Sequence, residues 1–336
     1  MRYLQQTKEG KKIELDLKDK KILLLLSKNA RSPHTRIAKK VGLSRDAVSY
    51  RINNLAKKGI LQGYRTVVDM GKFGYDVYHI FLQLSQPTKE AENLLVKKFK
   101  GYPFIRAIIK FSGKYDFQLA IASKNITEFD DMLNKIINDC SKYLQDYEIL
   151  IITKGYVNRV FPKNFLKTKE EVVKTRKTET LQKIDKKDKE ILKILANNAT
   201  IPLYQIAGKV KLSPDAVNYR IKNMINRGII LGFVPIINYA ALSYNIYAVL
   251  LNIHGLTDKK EATLKQFLKL NGNILWSVKT IGRYKILSYV CTKNPEDLHK
   301  TLIELRSYFP EEIKNYETLI AYEEYKYTYF PDYTHI

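Results

Sequence analysis

The sequence predicts an α+β chain made of one unit written twice, each copy being three helices followed by a βαββαβ domain. Three observations predict it. Sliding the 336-residue chain along itself by 169 positions pairs residues 16–84 with 185–253 without a gap, and 29 of those 69 pairs are identical, far more than unrelated segments share. The same offset then pairs Gly113 with Gly282, Tyr115 with Tyr284, Tyr147 with Tyr316 and Phe161 with Phe330. Within each copy, apolar residues recur first at helical spacing and then in short blocks of β-formers separated by further helical stretches. The expected parts are a three-helix domain at 13–63, a βαββαβ domain at 64–162, a linker at 163–183, a second three-helix domain at 184–232 and a second βαββαβ domain at 233–331.

The first helix of each copy follows Asp16 or Asp185 as N-cap, and places Ile22, Leu23 and Leu26, or Ile191, Leu192 and Leu195, on one face. A short second helix follows Pro33 or Pro202 and carries Ile37-Ala38-x-x-Val41 or Ile206-Ala207-x-x-Val210, where the small alanine lets another helix cross closely. The third begins at Ser44 or Ser213, each an N-cap, with Asp46 or Asp215 in the first turn to meet the helix dipole. Leu43 and Val48, or Leu212 and Val217, are spaced as hydrophobic staples, and Gly59 or Gly228 ends the helix. Some fourteen residues span roughly 21 Å, enough to lie in a major groove.

On this third helix Val48, Ile52 and Leu55, or Val217, Ile221 and Met224, form the inward stripe. The outward face carries Arg45, Ser49, Tyr50, Asn53 and Lys57 in copy one, and Asn218, Tyr219, Lys222 and Asn226 in copy two. Arg51 and Arg220 flank the stripe with forked donors suited to phosphates or base edges. A helix packed across a second one that offers a polar, basic face is the helix-turn-helix arrangement that reads double-stranded DNA. The candidate DNA-binding residues are therefore Ser44, Arg45, Ser49, Tyr50, Arg51 and Asn53, with Ser213, Asn218, Tyr219, Arg220 and Lys222. The copies differ at Arg45/Pro214, Ser49/Asn218 and Asn53/Lys222, so unequal half-sites are expected.

After a connecting strand at 64–68 or 233–237, copy one reads as strand 75–84, helix 89–100, strand 105–112, a Gly113-Lys114 turn, strand 115–122, helix 127–140 and strand 147–153. Copy two repeats it at 247–253, 259–269, 274–281, 284–291, 295–308 and 316–321. This βαββαβ order is the ferredoxin-like plan, an antiparallel sheet with helices on one face. Its bare face calls for a second sheet, which the other copy supplies. Residues 163–183, with seven basic and three acidic residues and few apolar ones, read as a solvated linker or frayed helix.

These motifs resemble the Lrp/AsnC family of feast/famine regulators over nearly all of both halves. The likeness rests on Asp16-x-x-Asp19-x-x-Ile22-Leu23, Ile37-Ala38-x-x-Val41-Gly42-Leu43-Ser44, Arg51-Ile52-x-x-Leu55 with Gly59-Ile60, and Gly113-x-Tyr115-Asp116. The resemblance implies a winged or helix-turn-helix reading head, and a sheet domain that oligomerises and binds a small effector, usually an amino acid, near the Gly-x-Tyr-Asp turn. By resemblance Gly113, Tyr115 and Asp116 are candidate effector residues; read as residues alone, Gly113 serves a hairpin and Asp116 is a solvated charge. Copy two departs at Lys211, in place of the turn glycine, and at Lys285, in place of Asp116, so it is expected to bind such a ligand poorly. A two-copy chain is expected to form an internal pseudo-dimer, with room for further homo-oligomerisation.

Composition agrees with a polyanion partner: 58 Lys and Arg stand against 34 Asp and Glu, a formal charge of +24. Part of that surplus is discounted, because Lys, Ile, Asn and Tyr, all abundant here, share AT-rich codons. Cys140 and Cys291 stand far apart without metal-like spacing, so neither a disulfide framework nor a metal site is implied, and no cofactor is expected. No apolar run reaches membrane-helix length and residues 1–12 lack a signal-like apolar region, so the expected place is the cytoplasm, at the nucleoid, with no membrane partner. No phosphate-cradling loop, nucleophile elbow or HExxH motif appears, and His34, His79, His254, His299 and His335 occupy no equivalent places. Siroheme decarboxylases are similar in architecture and carry a His-Asn-Tyr segment in the sheet domain, where this chain reads Arg106-Ala107-Ile108-Ile109-Lys110. A regulator that is not an enzyme is therefore the expectation, with such an enzyme, or a sequence-indifferent chromosome-coating protein, as alternatives.

Overall fold

A computed structural model describes residues 14–85, 87–166 and 180–330. Copy one runs α1 (Leu17–Lys28), α2 (His34–Val41), α3 (Arg45–Lys57), β1 (Leu61–Val68), β2 (Asp76–Leu84), α4 (Lys89–Gly101), β3 (Ile105–Ser112), β4 (Phe117–Ser123), α5 (Ile126–Cys140) and β5 (Leu144–Asn158). Copy two runs α6 (Lys186–Asn197), α7 (Leu203–Val210), α8 (Pro214–Asn226), β6 (Ile230–Ile237), β7 (Asn245–Ile253), α9 (Asp258–Leu270), β8 (Ile274–Ile281), β9 (Ile286–Thr292), α10 (Pro295–Tyr308) and β10 (Ile313–Tyr327). The described residues group into two compact units, each drawing on both copies. One gathers 14–75, 180–238 and 328–330; the other gathers 76–166 and 239–327.

The first unit holds both three-helix heads. Asp16 and Asp185 accept from the Asp19 and Asp188 amides at 2.7 and 2.8 Å, and Ser44 and Ser213 accept from Ala47 and Ala216, both at 3.1 Å. All four are the caps that the sequence spacing requires. The connecting strands β1 and β6 pair with each other, antiparallel, as a two-stranded ribbon. α1 packs on β6 and α6 on β1, so each head leans on the strand of the other copy. Thr66 on β1 donates to the Leu195 carbonyl at 2.7 Å, and the Ala30 amide donates to Phe233 at 2.8 Å. Hence the domain boundary falls after Tyr75 and Asn238 instead of after 63 and 232: once paired with each other, these strands go with the heads.

The second unit is a closed eight-stranded antiparallel barrel in the order β10-β3-β4-β2-β5-β8-β9-β7. Each copy contributes the four-stranded ferredoxin-like sheet expected of it. The departure lies in the last strand of each copy, 15 residues long in β5 and in β10, where sequence alternation had marked only 147–153 and 316–321. β5 pairs with β2 and then runs on to pair with β8 of the other copy; β10 likewise pairs with β7 and then β3. Register shifts within these pairings blur the two-residue period that would have marked the full length. Two bare sheet faces thus meet, and their edges also join, which removes the unpaired edges altogether.

The turns after β3 and β8 show how close the copies come. At Gly113 (φ +136) an added Cβ would lie 2.8 Å from the Leu319 side chain, and at Gly282 (φ +143) 2.5 Å from the Ile149 carbonyl oxygen. Each glycine therefore abuts the last strand of the other copy. The residues expected to form a linker begin inside the barrel unit. Lys163–Phe165 make a short 3-10 turn in which Phe165 is buried and stacks on Phe161, and Lys163 donates its amide to Gly272 at 2.8 Å. Positions 167–179 of that segment and residue 331 lie outside the described residues.

Lys211 does adopt the left-handed conformation its glycine counterpart uses, φ 55° against 65° for Gly42. Replacing it by glycine is expected to raise stability by about 1 kcal/mol in denaturant unfolding. Gly282→Ala is expected to cost about 2 kcal/mol or more, because backbone must move to admit the methyl group.

Candidate nucleic-acid interface

The inward stripe of each third helix is buried as expected: Val48, Ile52 and Leu55 in α3, and Val217, Ile221 and Met224 in α8. That fixes the opposite face outward. Arg45, Tyr50, Asn53 and Lys57 are exposed on α3, and Tyr219, Lys222 and Asn226 on α8. Tyr50 and Tyr219 are each 72% exposed. Both phenols stand in solvent at the same place in the two copies and add little to the core.

Of the other expected residues, Ser44, Ser213, Ser49, Arg51 and Arg220 have work within the heads. Ser44 and Ser213 are spent as caps. Ser49 is half-buried, its hydroxyl 2.7 Å from Nδ1 of His34, and Asn218 is half-buried. Arg51 donates through Nη1 to Asp16 at 2.7 Å and to Asp19 at 2.8 Å; Arg220 does the same to Asp185 and Asp188 at 2.6 and 2.8 Å. Backbone donation from Asp19 and Asp188, with the facing guanidinium, holds the Asp16 and Asp185 carboxyls below the usual carboxylate range. These arginines thereby clamp the third helix to the start of the first.

The sequence reading missed this clamp. Its signal was available: Asp, Asp and Arg recur together in both copies, while the outward positions 45, 49 and 53 change. A second pair was missed as well. Lys187 donates to the Val210 carbonyl at 2.6 Å, and its counterpart Lys18 donates to that of Val41, closing the C-terminal end of each second helix.

The two heads are joined asymmetrically. Arg31 donates through Nη1 to the carbonyls of Ala199 and Ile201 at 2.8 and 3.1 Å, and its guanidinium lies 5.5 Å from the Phe233 ring centroid. The equivalent residue of copy two is Thr200. With the ribbon, this latch holds α3 and α8 in one compact unit.

The three candidate effector residues sit together at one barrel turn, yet their side chains are largely engaged. Tyr115 is 1% exposed and shares a buried cluster with Tyr284, Phe81, Phe111 and Leu319. Burial pushes its hydroxyl pKa upward. Asp116 is half-buried and accepts from the Leu84 amide at 2.7 Å, while burial raises its carboxyl pKa. Lys285, in its place in copy two, keeps the same backbone bond, to Leu251 at 2.8 Å, as Asp116 makes to Leu82. Gly113 serves the close approach to β10 already described.

A family profile described as winged helix-turn-helix DNA-binding matches residues 15–62 and 184–230. The HTH-type transcriptional regulator LrpA of Pyrococcus horikoshii is 37% identical over 123 residues, which cover 36% of this chain and 86% of that protein. The regulatory protein AsnC of Haemophilus influenzae is 29% identical over 119 residues, covering 35% and 79%. Among solved structures, the siroheme decarboxylase NirDL matches with a TM-score of 0.62 over 94% of both chains at 13% identity, a likeness of fold alone. Each regulator thus corresponds in length to about one half of this chain. The chain belongs to the Lrp/AsnC family of transcriptional regulators, in a form that carries two reading heads on one polypeptide.

Proposed function

We propose that this chain is a sequence-specific regulator that binds one stretch of double-stranded DNA with both of its heads, as an internal pseudo-dimer. The observation that carries this reading is the pair of third helices, α3 and α8, held in one compact unit with their polar and cationic faces exposed. Each helix enters a major groove N-terminus first. Arg45 and Asn53 read bases in one half-site and Lys222 and Asn218 in the other, while Tyr50 and Tyr219 contact the backbone in both. The first head also exposes Arg36, Lys39, Lys40 and Lys57, where the second has Gln205, Gly208, Lys209 and Asn226. It is therefore the stronger electrostatic anchor, and the half-sites are unequal in affinity and in sequence.

The protein acts in the cytoplasm, at the nucleoid. Among the described residues no helix is long and apolar enough to cross a membrane. A small amino-acid effector is part of the reading, with the half-buried Asp116 meeting its ammonium group and Gly113 and Tyr115 shaping the turn from behind. Copy two, with Lys285 there, leaves the response one-sided.

The regulator reading is tested by duplex binding to selected sites over a salt series. Affinity is expected to fall with a slope of about −0.9 per phosphate neutralised. Arg45→Ala or Asn53→Ala is expected to relax base preference in one half-site by about 1 to 3 kcal/mol for a good contact. Equal weakening on every sequence would instead favour a chromosome-coating protein. Arg51→Ala is expected to behave differently, lowering head stability by about 1 kcal/mol with base preference unchanged.

The enzyme alternative is tested with siroheme. The regulator reading predicts a Soret spectrum that stays unchanged on mixing with the purified chain; a shifted band or released carbon dioxide would favour a decarboxylase.

A further inference from the structure

Besides the buried Tyr115 and Tyr284, the barrel interior carries a polar cluster where the two copies meet at one junction. There Tyr289 donates its hydroxyl to Oε1 of Gln118 at 2.5 Å, across the lumen from β9 to β4, and Nε2 of the same amide lies 2.6 Å from Nδ1 of His79. The amide nitrogen is only a donor, so this ring nitrogen accepts and the imidazole is neutral. Burial and the nearby Arg106 agree, pushing His79 down to about 3. Trp276 of copy two stacks on His79 at 5.8 Å and lies tilted against Tyr289 at 5.2 Å between ring centroids. His79 and Gln118 come from copy one, and Trp276 and Tyr289 from copy two.

The pseudo-equivalent junction has none of this. Offset by 169 positions, His79 becomes Ala248, Gln118 becomes Leu287, Trp276 becomes Ala107 and Tyr289 becomes Ala120. All four replacements are buried. They also lie beside the large groups: Ala120 pairs across strands with His79, and Ala248 with Tyr289. One junction is therefore bulky and hydrogen-bonded, and the other small and apolar. The large side chains occupy space that the alanines leave.

We propose that this lumen makes each copy complementary to the other copy and not to itself, so that the barrel closes only between a first and a second half. Gly113 and Gly282, and Tyr115 and Tyr284, are the same in both copies and do not discriminate, whereas Phe81 and Phe111, which become Leu250 and Thr280, add to the difference in side-chain size. Two first copies would bury two histidines and two glutamines against alanines, with no tyrosine or tryptophan to fill or pair them. Two second copies would crowd two tryptophans and two tyrosines into one lumen and turn both hydroxyls toward leucine. An unpaired buried polar group is costly, and so is overfilling. A buried polar contact with a single correct partner is a recognised means of fixing who pairs with whom. The partner this surface fits is thus the second half of this sequence, in its own chain or in another copy of it.

The test uses the full chain with a protease site placed within 167–179. After cleavage, denaturation and refolding, native mass spectrometry counts the fragment pairs. The wild type is expected to give pairs of one N-terminal and one C-terminal fragment. In Q118L/Y289F, which replaces both hydrogen-bond partners by apolar groups of similar size, like pairs are expected to rise by about tenfold or more. Random pairing in the wild type overturns the proposal. Unlike pairing that is unchanged in the double variant also overturns it, by assigning selectivity to other contacts between the copies. Thermal unfolding of the uncut chain is a second readout: Q118L alone is expected to lower the midpoint, and adding Y289F to recover part of the loss. A purely additive loss contradicts the cross-lumen bridge.

Discussion

Unpaired strand edges are the constraint on which this molecule depends. A connecting strand such as β1 has no partner within its own copy, and a four-stranded ferredoxin-like sheet ends in two open edges with one bare apolar face. Every one of those deficits is met by the other copy. β1 pairs with β6, β5 reaches β8, β10 reaches β3, and the two bare faces close on each other. Neither half completes a sheet alone. Fusing them makes the required partner local, which removes the concentration dependence that a dimer of separate chains would carry.

The same exchange governs the reading heads. Because α1 rests on β6 and α6 on β1, a head cannot shift without disturbing the strand of its neighbour. The Arg31 latch adds a contact made in one direction only. Two heads held in this way present two different faces at a set spacing, and the difference between the faces is written in side chains alone. Sequence asymmetry on a nearly symmetric scaffold thus recurs twice, in Arg45 against Pro214 outside and in Gln118 against Leu287 inside the barrel.

Much of this was legible in the sequence because caps, periods and turns are local. Asp16, Ser44 and Gly59 mark helix ends through short-range bonds, and their recurrence 169 positions later repeats each signal. What was not legible was long-range. The second halves of β5 and β10 pair with strands of the other copy, so nothing near them in sequence specifies their length. The clamp that Arg51 makes was not legible because its partners, Asp16 and Asp19, lie at the start of another helix. The resemblance puts Tyr115 at an effector turn, and its ring is buried in the barrel core through contacts with the other copy, which nothing near it in sequence specifies. Comparing the copies separates the cases. Arg51 and Tyr115 are identical in the two copies and paired or buried within the fold, whereas positions 45 and 53 differ between the copies and are exposed.

The account's central claim is that two unequal heads act as one preset pair. The most direct measurement is the affinity of the intact chain for an operator whose two half-sites are moved apart by about five base pairs, half a helical turn. The account predicts that affinity drops to that of a single half-site and returns when a full turn of about ten base pairs brings the sites back onto one face. Affinity indifferent to the spacing would mean that the heads move independently, and would contradict it.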